Sequence, residues 1–385
     1  MRRLGSCDGR TPACPMTRFT ALRQPSIFAI AMLLMVLAAC GHDSREKHPR
    51  ERFTREVILK TTPVKDQGNS RLCWIYAMLA TIETEHLMMG DSVNLSPAYV
   101  ARAFFNEQTQ RQYVIQGRQE ADERGMISMV PQLLLRNGAM PFDSYRLKDD
   151  FNSKIVIRRL TKLAMASQAH NKGLSYLQSE TNTLLDEAVG PLPRMVFMYG
   201  CEYTPLEFAH SVCQTGEYVG LTSFTHHAFG KPFVLEVPDN LYSDPYHNLP
   251  MSALIDIMES AIRTGHPVCW EGDVTEPGFS FERGTATLED KQGPFTQENR
   301  QQAFEQFKTT DDHCMAMVGI AIDRKGRKYF VCKDSSGTNN PYGGMIYMSF
   351  DYAFMKTVAV MMSRKAFNLP DISAGKSGQQ PLQPA

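Results

Sequence analysis

Apolar and polar positions follow two different rhythms in the two halves of the chain. Past Trp74, the residues Ile75, Met78, Leu79 and Ile82 recur at i, i+3, i+4 and i+7, the spacing of one face of a helix. That predicts an amphipathic helix with Cys73 in its first turn, delivered by a Gly-Asn-Ser loop at 68–70. A second helix is predicted in "NLSPAYVARAFF", where Ser96 can cap free amides and Pro97 suits the first helical position. "SMVPQLLLRNGAM" reads as a third, stopped by Asn137-Gly138, and further helices are expected over 170–188, 204–213 and 251–264. The later half changes period. "PFVLEVP", "HPVCWEGDV", "DHCMAMVGIAI", "KYFVCKD" and "GGMIYMSF" are short apolar or alternating runs bounded by Gly, Pro and Asp, and they predict strands of a buried sheet or barrel. A helical half followed by a β half predicts an α+β chain of two lobes, about 61–215 and 216–365, with a cleft between them.

The first forty residues stand apart. Arg18 and Arg23 precede an apolar run from Ile27 to Ala39 that ends at Cys40. The run is short and sharply ended for a membrane span, and it fits a secretory signal. Leu37-Ala38-Ala39-Cys40 resembles a bacterial lipobox, in which the cysteine becomes the lipidated N-terminus after cleavage. Residues 1–40 are therefore expected to be a signal peptide, with Met16 as an alternative start. Residues 41–60, opening "GHDSREKHPRERFTRE", read as a polar tether, and 366–385, with the low-complexity "AGKSGQQPLQPA", as a flexible or loosely docked tail. The expected location is the bacterial cell envelope, exported and held at a membrane through lipid on Cys40.

Charge and cysteine usage narrow the partners. The 41 basic and 41 acidic residues cancel, and no long basic run is present, which argues against nucleic acid. A 43% hydrophobic content over 385 residues allows a substantial core. Beyond Cys40 lie Cys73, Cys201, Cys213, Cys269, Cys314 and Cys332. Export permits disulfides, but this scatter is unlike a small disulfide-framed scaffold.

Cys73 carries the chemistry. A helix N-terminus lowers the pKa of a cysteine placed there, and a nucleophilic thiolate also needs a base oriented by a third group. Among ten histidines, His313 opens the apolar strand "HCMAMVGIAI". If Asp323 to Gly326 form the turn into "YFVCKD", position 313 faces about 336, and Asp334 lies one same-face step away. Imidazole and carboxylate thus meet through hairpin geometry, whereas bringing Cys73 to them requires tertiary structure. Taken singly, the three residues read as a core cysteine, an edge histidine and a solvated aspartate.

Taken together they carry a resemblance. "PVKDQGNSRLCWIYAMLATIE" resembles the active-site segment of papain-superfamily cysteine peptidases, with a glutamine six residues before the cysteine and a tryptophan after it. "NLSPAYV" is similar to that family's second-helix start, "DHCMAMVGI" to its histidine strand, and "KDSSGTNNPYGGMIYMSFDY" to its Asn-Ser-Trp-Gly segment. "TPLEF", "PVCWEGDV" and "NRQQAFEQFKTTDDHCM" look like stretches of bleomycin hydrolase and the related bacterial aminopeptidases. The likeness runs from about 61 to 362.

The resemblance implies a papain-like two-lobed fold, with a helical lobe, a β-barrel-like lobe and the active-site cleft between them. Cys73 would be the nucleophile, His313 the general base and acid, Asp334 the orienting group, and Gln67 with the Cys73 N–H the oxyanion donors. Trp74 and Trp270 are candidate substrate-binding walls. No metal or organic cofactor is implied, and the expected partner is a peptide or protein substrate. Asp334 stands where the family has asparagine, Ser336 where it has a shielding tryptophan, and Arg71 and Leu72 alter the loop before the cysteine. Asp334 and Ser336 keep one alternative, a relative that binds peptides or a surface partner without cleaving them; a third option is acyl transfer, which uses the same nucleophile but excludes water. Cys201, His210 and Cys213 lack a zinc spacing, and His226-His227 reads as a loop pair whose rings point apart. Cys314 and methionines such as Met315 and Met317 read as core.

Overall fold

The computed structural model describes residues 51–118, 121–148, 150–198, 200–289 and 293–367. The signal segment, Cys40, the first part of the tether and the tail from residue 368 lie outside the described residues. Helix α1 (Cys73–Met89) is buried at every residue from Cys73 to His86. The sheet covers one side of it, and α2 (Pro97–Val114) and α3 (Met129–Asn137) cover others. A helix enclosed on all sides carries no single apolar stripe, so the amphipathic pattern expected there is corrected to burial all round. Helix α2 starts where expected, with Ser96 Oγ accepting the Tyr99 N–H at 3.1 Å and Pro97 in the first turn. The stretch expected as one helix at 170–188 is preceded by a second. Helix α4 (Ser153–Ala169), capped by Asn152, ends at His170, and α5 (Leu174–Ala188) follows. Helix α6 (Pro205–Val212) opens with a Thr204–Glu207 capping box, and α7 (Met251–Arg263) lies in the β half.

One sheet dominates the later half. Its strands run in the order β5 (Pro232–Val234), β6 (Pro245–Asn248), β4 (Tyr218–Thr222), β13 (Thr357–Ser363), β7 (Val268–Gly272), β10 (His313–Ile322), β11 (Lys328–Lys333), β12 (Met345–Ser349), β9 (Thr285–Ala286) and β8 (Phe279–Ser280). A separate hairpin joins β2 (Val196–Met198) and β3 (Cys201–Tyr203). The main sheet ends at β5 and β8 without closing, so the barrel expected for this half is an open sheet. The fold is papain-like α+β. One apolar core draws mainly on residues 72–218 and another on 219–362.

Strand β1 (Thr54–Ile58) corrects the tether. Residues 41–60 read as a polar tether, yet 54–58 pair antiparallel with β10, Ile58 opposite Gly319 and Thr54 opposite Ile322. Its side chains are largely exposed. The strand is therefore held by backbone hydrogen bonds along an edge, and a hydrophobic pattern cannot reveal it.

The β10–β11 hairpin is decided by a bulge. Its loop is longer than the expected turn: Ile322 pairs with Lys328, a register that would set His313 opposite Gly337 and turn Asp334 to the other face. Between Met317 and Gly319 the register shifts, leaving Val318 as an extra residue, and Ala316 then pairs with Lys333. That restores 313 opposite 336, because one added residue exchanges the two faces of a strand.

A buried polar network joins α1 to the segment before Cys73. Glu83, fully buried on α1, pairs with Lys65 and accepts from Thr62 Oγ1 and from the Leu95 N–H, the last at 2.6 Å. Lys333 Nζ donates to Thr62 Oγ1 at 2.8 Å, and burial pulls the Lys333 pKa down to about 8. Removing one partner of such a network strands the others without compensation. Glu83→Ala is expected to cost about 3 kcal/mol of stability, read as a lowered urea midpoint with an unchanged slope. A loss under about 1 kcal/mol would mean that the network is solvated on opening.

Candidate active site

Cys73 is the first residue of α1. Leu72 supplies no side-chain cap and the first turn holds no acidic residue, so the positive end of the helix acts on the sulfur without a competing side-chain anion. The loop before it is clamped to the loop after β11. Gln67 N–H donates to Ser335 O at 2.8 Å, Asp66 bridges Ser336, and Gly337 N–H donates to Lys65 O. Gln67 is held at both ends of its amide: Nε2 donates to Ser70 O at 2.9 Å and Oε1 accepts from Ser335 Oγ at 2.7 Å. The same loop carries Asp334, so the elements bearing Gln67, Cys73 and Asp334 are fixed to one another.

His313 completes the set. Its Nε2 lies 2.6 Å from Asp334 Oδ1, which leaves Nδ1 for the Cys73 sulfur on the same cavity wall. The Ser336 N–H holds the other carboxylate oxygen at 3.2 Å. Ser336 itself is exposed and shields nothing, yet the His313 and Asp334 side chains are only 13% and 1% exposed. The Phe279 ring stands edge-on to the imidazole at 6.5 Å. Burial would depress the imidazole pKa, but the Asp334 and Cys73 hydrogen bonds and charges outweigh it and hold it up at about 10. Burial likewise works against the Asp334 carboxylate, and His313 overrides it and keeps its pKa low.

Sequence reasoning missed the strongest influence on the sulfur. A hydrogen bond from Cys314 lowers the Cys73 pKa most, burial opposes it, and His313 adds a further lowering. The sequence places Cys314 in the core. It does lie there, on the side where α1 packs. Cys73 is only 7% exposed, and it lines a cavity of about 180 Å³ that reaches the surface beside Arg71 and Asp312. Arg124, Asp239, Glu271 and Asp311 also line it, and none had been singled out.

The other candidates separate cleanly. Trp74 lines the cavity, with its Nε1 donating to Glu123 O at 3.0 Å. Trp270, expected at the cleft wall, is fully buried on the opposite face of β7 and donates to Thr357 Oγ1 at 2.8 Å. A strand sends successive side chains to opposite faces, and here Glu271 takes the cavity side. All six described cysteines are free. His226 and His227, expected to point apart, lie in a turn, and both reach Glu236, at 2.8 and 3.0 Å. Gln301 Nε2 donates to His226 Nδ1 at 2.9 Å while Gln301 Oε1 accepts the Thr225 N–H. That places the His226 proton on Nε2, toward Glu236, where a metal ligand would need a lone pair.

The fold and the site together define a class: a papain-like α+β protein whose helix-tip cysteine shares a cavity with a carboxylate-held histidine. Among solved structures the chain is similar to PepW from Lactobacillus rhamnosis, with a TM-score of 0.65, 16% identity and 90% of each chain covered. It is more distantly similar to the bromelain protease of Ananas comosus in complex with the E64 inhibitor, with a TM-score of 0.39, 13% identity, and 79% of this chain and 94% of that one covered. A structure of the mite allergens Blo t 1 and Der p 1 gives a TM-score of 0.41, 14% identity, and 83% and 72% covered. At these identities the PepW likeness speaks for the fold alone. No family model and no curated protein sequence matches the chain.

The charge state has a definite sign. With the Cys73 pKa depressed, its thiolate is lost only as pH falls through that lowered value; with the His313 pKa raised, its imidazolium is lost only as pH rises through about 10. The ion pair therefore spans neutral pH. Alkylation of Cys73 by iodoacetamide should be nearly as fast at pH 6 as at pH 8, where a thiol of pKa about 8.5 would slow roughly 80-fold. Cys314→Ala should steepen that dependence. Asp334→Asn should lower the His313 titration, followed by NMR, by at least about one unit. An ordinary thiol profile in the wild type would contradict the ion pair.

Proposed function

We propose that the protein is a cysteine peptidase. The observation that carries this reading is the Asp334-held His313 beside Cys73 on one cavity, with the sulfur on an uncapped helix tip. Cys73 attacks a peptide carbonyl. His313 holds the proton and passes it to the leaving amine, Asp334 keeps the ring oriented, and water then releases the acyl group. Gln67 uses one amide N–H on Ser70 O; its second N–H, with the Cys73 backbone N–H, supplies the oxyanion donors. Removal of a peptide's N-terminal residue is the form of the reaction that the sequence resemblance favours. We further propose export and anchoring through lipid on Cys40, a reading that rests on the sequence of the N-terminal segment.

A second reading has its own support. The 7% exposure of Cys73 suits a cleft that holds a peptide without turning it over. Fluorogenic peptides with free and blocked N-termini separate the two. Wild type should cleave, Cys73→Ala should lose all detectable activity, and Gln67→Ala should lose about 10²- to 10³-fold in kcat. A preference for free N-termini marks an aminopeptidase. Peptide binding by wild type and Cys73→Ala alike, with no product from either, would establish the binding reading.

A further inference from the structure

The cavity beside Cys73 holds a pair of carboxyl groups that the surrounding residues satisfy only in part. Glu271 is fully buried and Asp311 is 8% exposed, and both line the cavity. Glu271 stands opposite Cys314 in the β7–β10 register. With Cys269 and Cys314 it shares the sheet face packed on α1, where Cys269 meets Thr81 and Cys314 meets Cys73. It is thus an acidic residue set among thiols and apolar side chains, on the same side as the nucleophile.

Its hydrogen bonding is incomplete. Oε2 of Glu271 takes only the Ile127 N–H, at a long 3.4 Å. Oε1 of Glu271 and Oδ2 of Asp311 find no donor among the described residues, apart from a proton shared between the two carboxyls. Arg124 donates to Asp239 at 2.7 Å and to the Asp311 backbone carbonyl, so its charge acts on Asp311 while its N–H groups go to other oxygens, and the exposed Arg71 lies 3.9 Å from Asp122. Burying two carboxyls with only the Arg124 charge, acting on Asp311, to offset them is costly. Burial pushes both pKa values up, helped at Glu271 by the Asp311 charge and at Asp311, against the pull of Arg124, by the Asp239 and Cys73 charges; that of Asp311 rises to about 8, so the cavity keeps a proton there that an arriving cation can displace. A chain's own fold gains nothing from such a pair; a ligand that supplies the missing positive donor does.

We propose that this cavity is a specificity site for a cationic group of the peptide substrate, an ammonium or guanidinium bound by Glu271 and Asp311. The proposal rests on the peptidase reading and adds its substrate class: peptides carrying positive charge next to the bond attacked. Two sources share that chemistry, the substrate's free N-terminal ammonium and a Lys or Arg side chain.

The test is a panel of dipeptidyl chloromethyl ketones with lysine, norleucine or glutamate at either position, each with a free or an acetylated N-terminus. Its readout is the second-order rate of Cys73 alkylation, located by mass spectrometry. Probes with an ammonium should react at least about tenfold faster than acetylated norleucine probes, with glutamate probes slowest. Acceleration by the free N-terminus alone assigns the cavity to the chain end, and acceleration by lysine in acetylated probes assigns it to a side chain. Glu271→Gln, near-isosteric, and Asp311→Asn should each bring the lysine-to-norleucine or free-to-acetylated ratio toward one. Equal or faster labelling by acetylated norleucine probes in the wild type overturns the proposal while leaving the peptidase reading intact, and so does a ratio that survives both substitutions. If no dipeptidyl probe outpaces simple chloroacetamide at Cys73, the peptidase reading fails, and this proposal fails with it.

Discussion

The packing of the α1 N-terminus against the β7–β10 face is the constraint on which the site depends. It brings a helix tip, a thiol from the sheet and an imidazole from a strand end onto one sulfur. Each influence alone is modest: a helix terminus is worth about 0.3–1 kcal/mol on an exposed charge. Burial works against all of them. Only because three favourable influences converge does the charged form win on a residue that is 7% exposed. The cost of that burial is met in the same place, since Asp334 compensates His313 and the Ser336 N–H compensates Asp334.

A second balance of charge lies alongside, and it is left open. On α1 itself, the buried Glu83 is matched by Lys65, Thr62 and a backbone amide. Beside the cavity, Glu271 and Asp311 each keep a carboxylate oxygen without a donor. Glu83 is thus a rivet whose surroundings supply donors, whereas the Glu271–Asp311 pair is an unfilled demand beside a cavity. The contrast separates structural from ligand-directed polarity, because the apolar setting that makes a satisfied pair rigid makes an unsatisfied one expensive.

Several elements were legible in the residues. The Ser96-Pro97 start of α2, the strands β10, β11 and β12, and α7 fall where turn residues and periodicity put them. The His313–Asp334 meeting was legible as well, although by a route the residues do not disclose. The loop was one residue longer than assumed, and the Val318 bulge restored the register. Elements held mainly by backbone pairing, such as β1, left no apolar signature, and α1 showed a stripe where the fold gives burial on every side. Trp270, expected at the cleft wall, lies in the core, and its neighbour Glu271 takes the cavity side of the strand.

The sequence by itself determined local matters: which residues cap and turn, the α+β order of the elements, and the chemical types placed at Cys73, His313, Asp334 and Gln67. These follow from interactions within a few residues, whose geometry the covalent chain restricts. Tertiary structure alone decided which thiol sits beside the nucleophile, which carboxyls lie in its cavity, and on which face of β7 the acid falls. Those depend on contacts between residues some two hundred positions apart. Nothing in their spacing constrains such contacts, and packing, register and the cost of burying charge select among them.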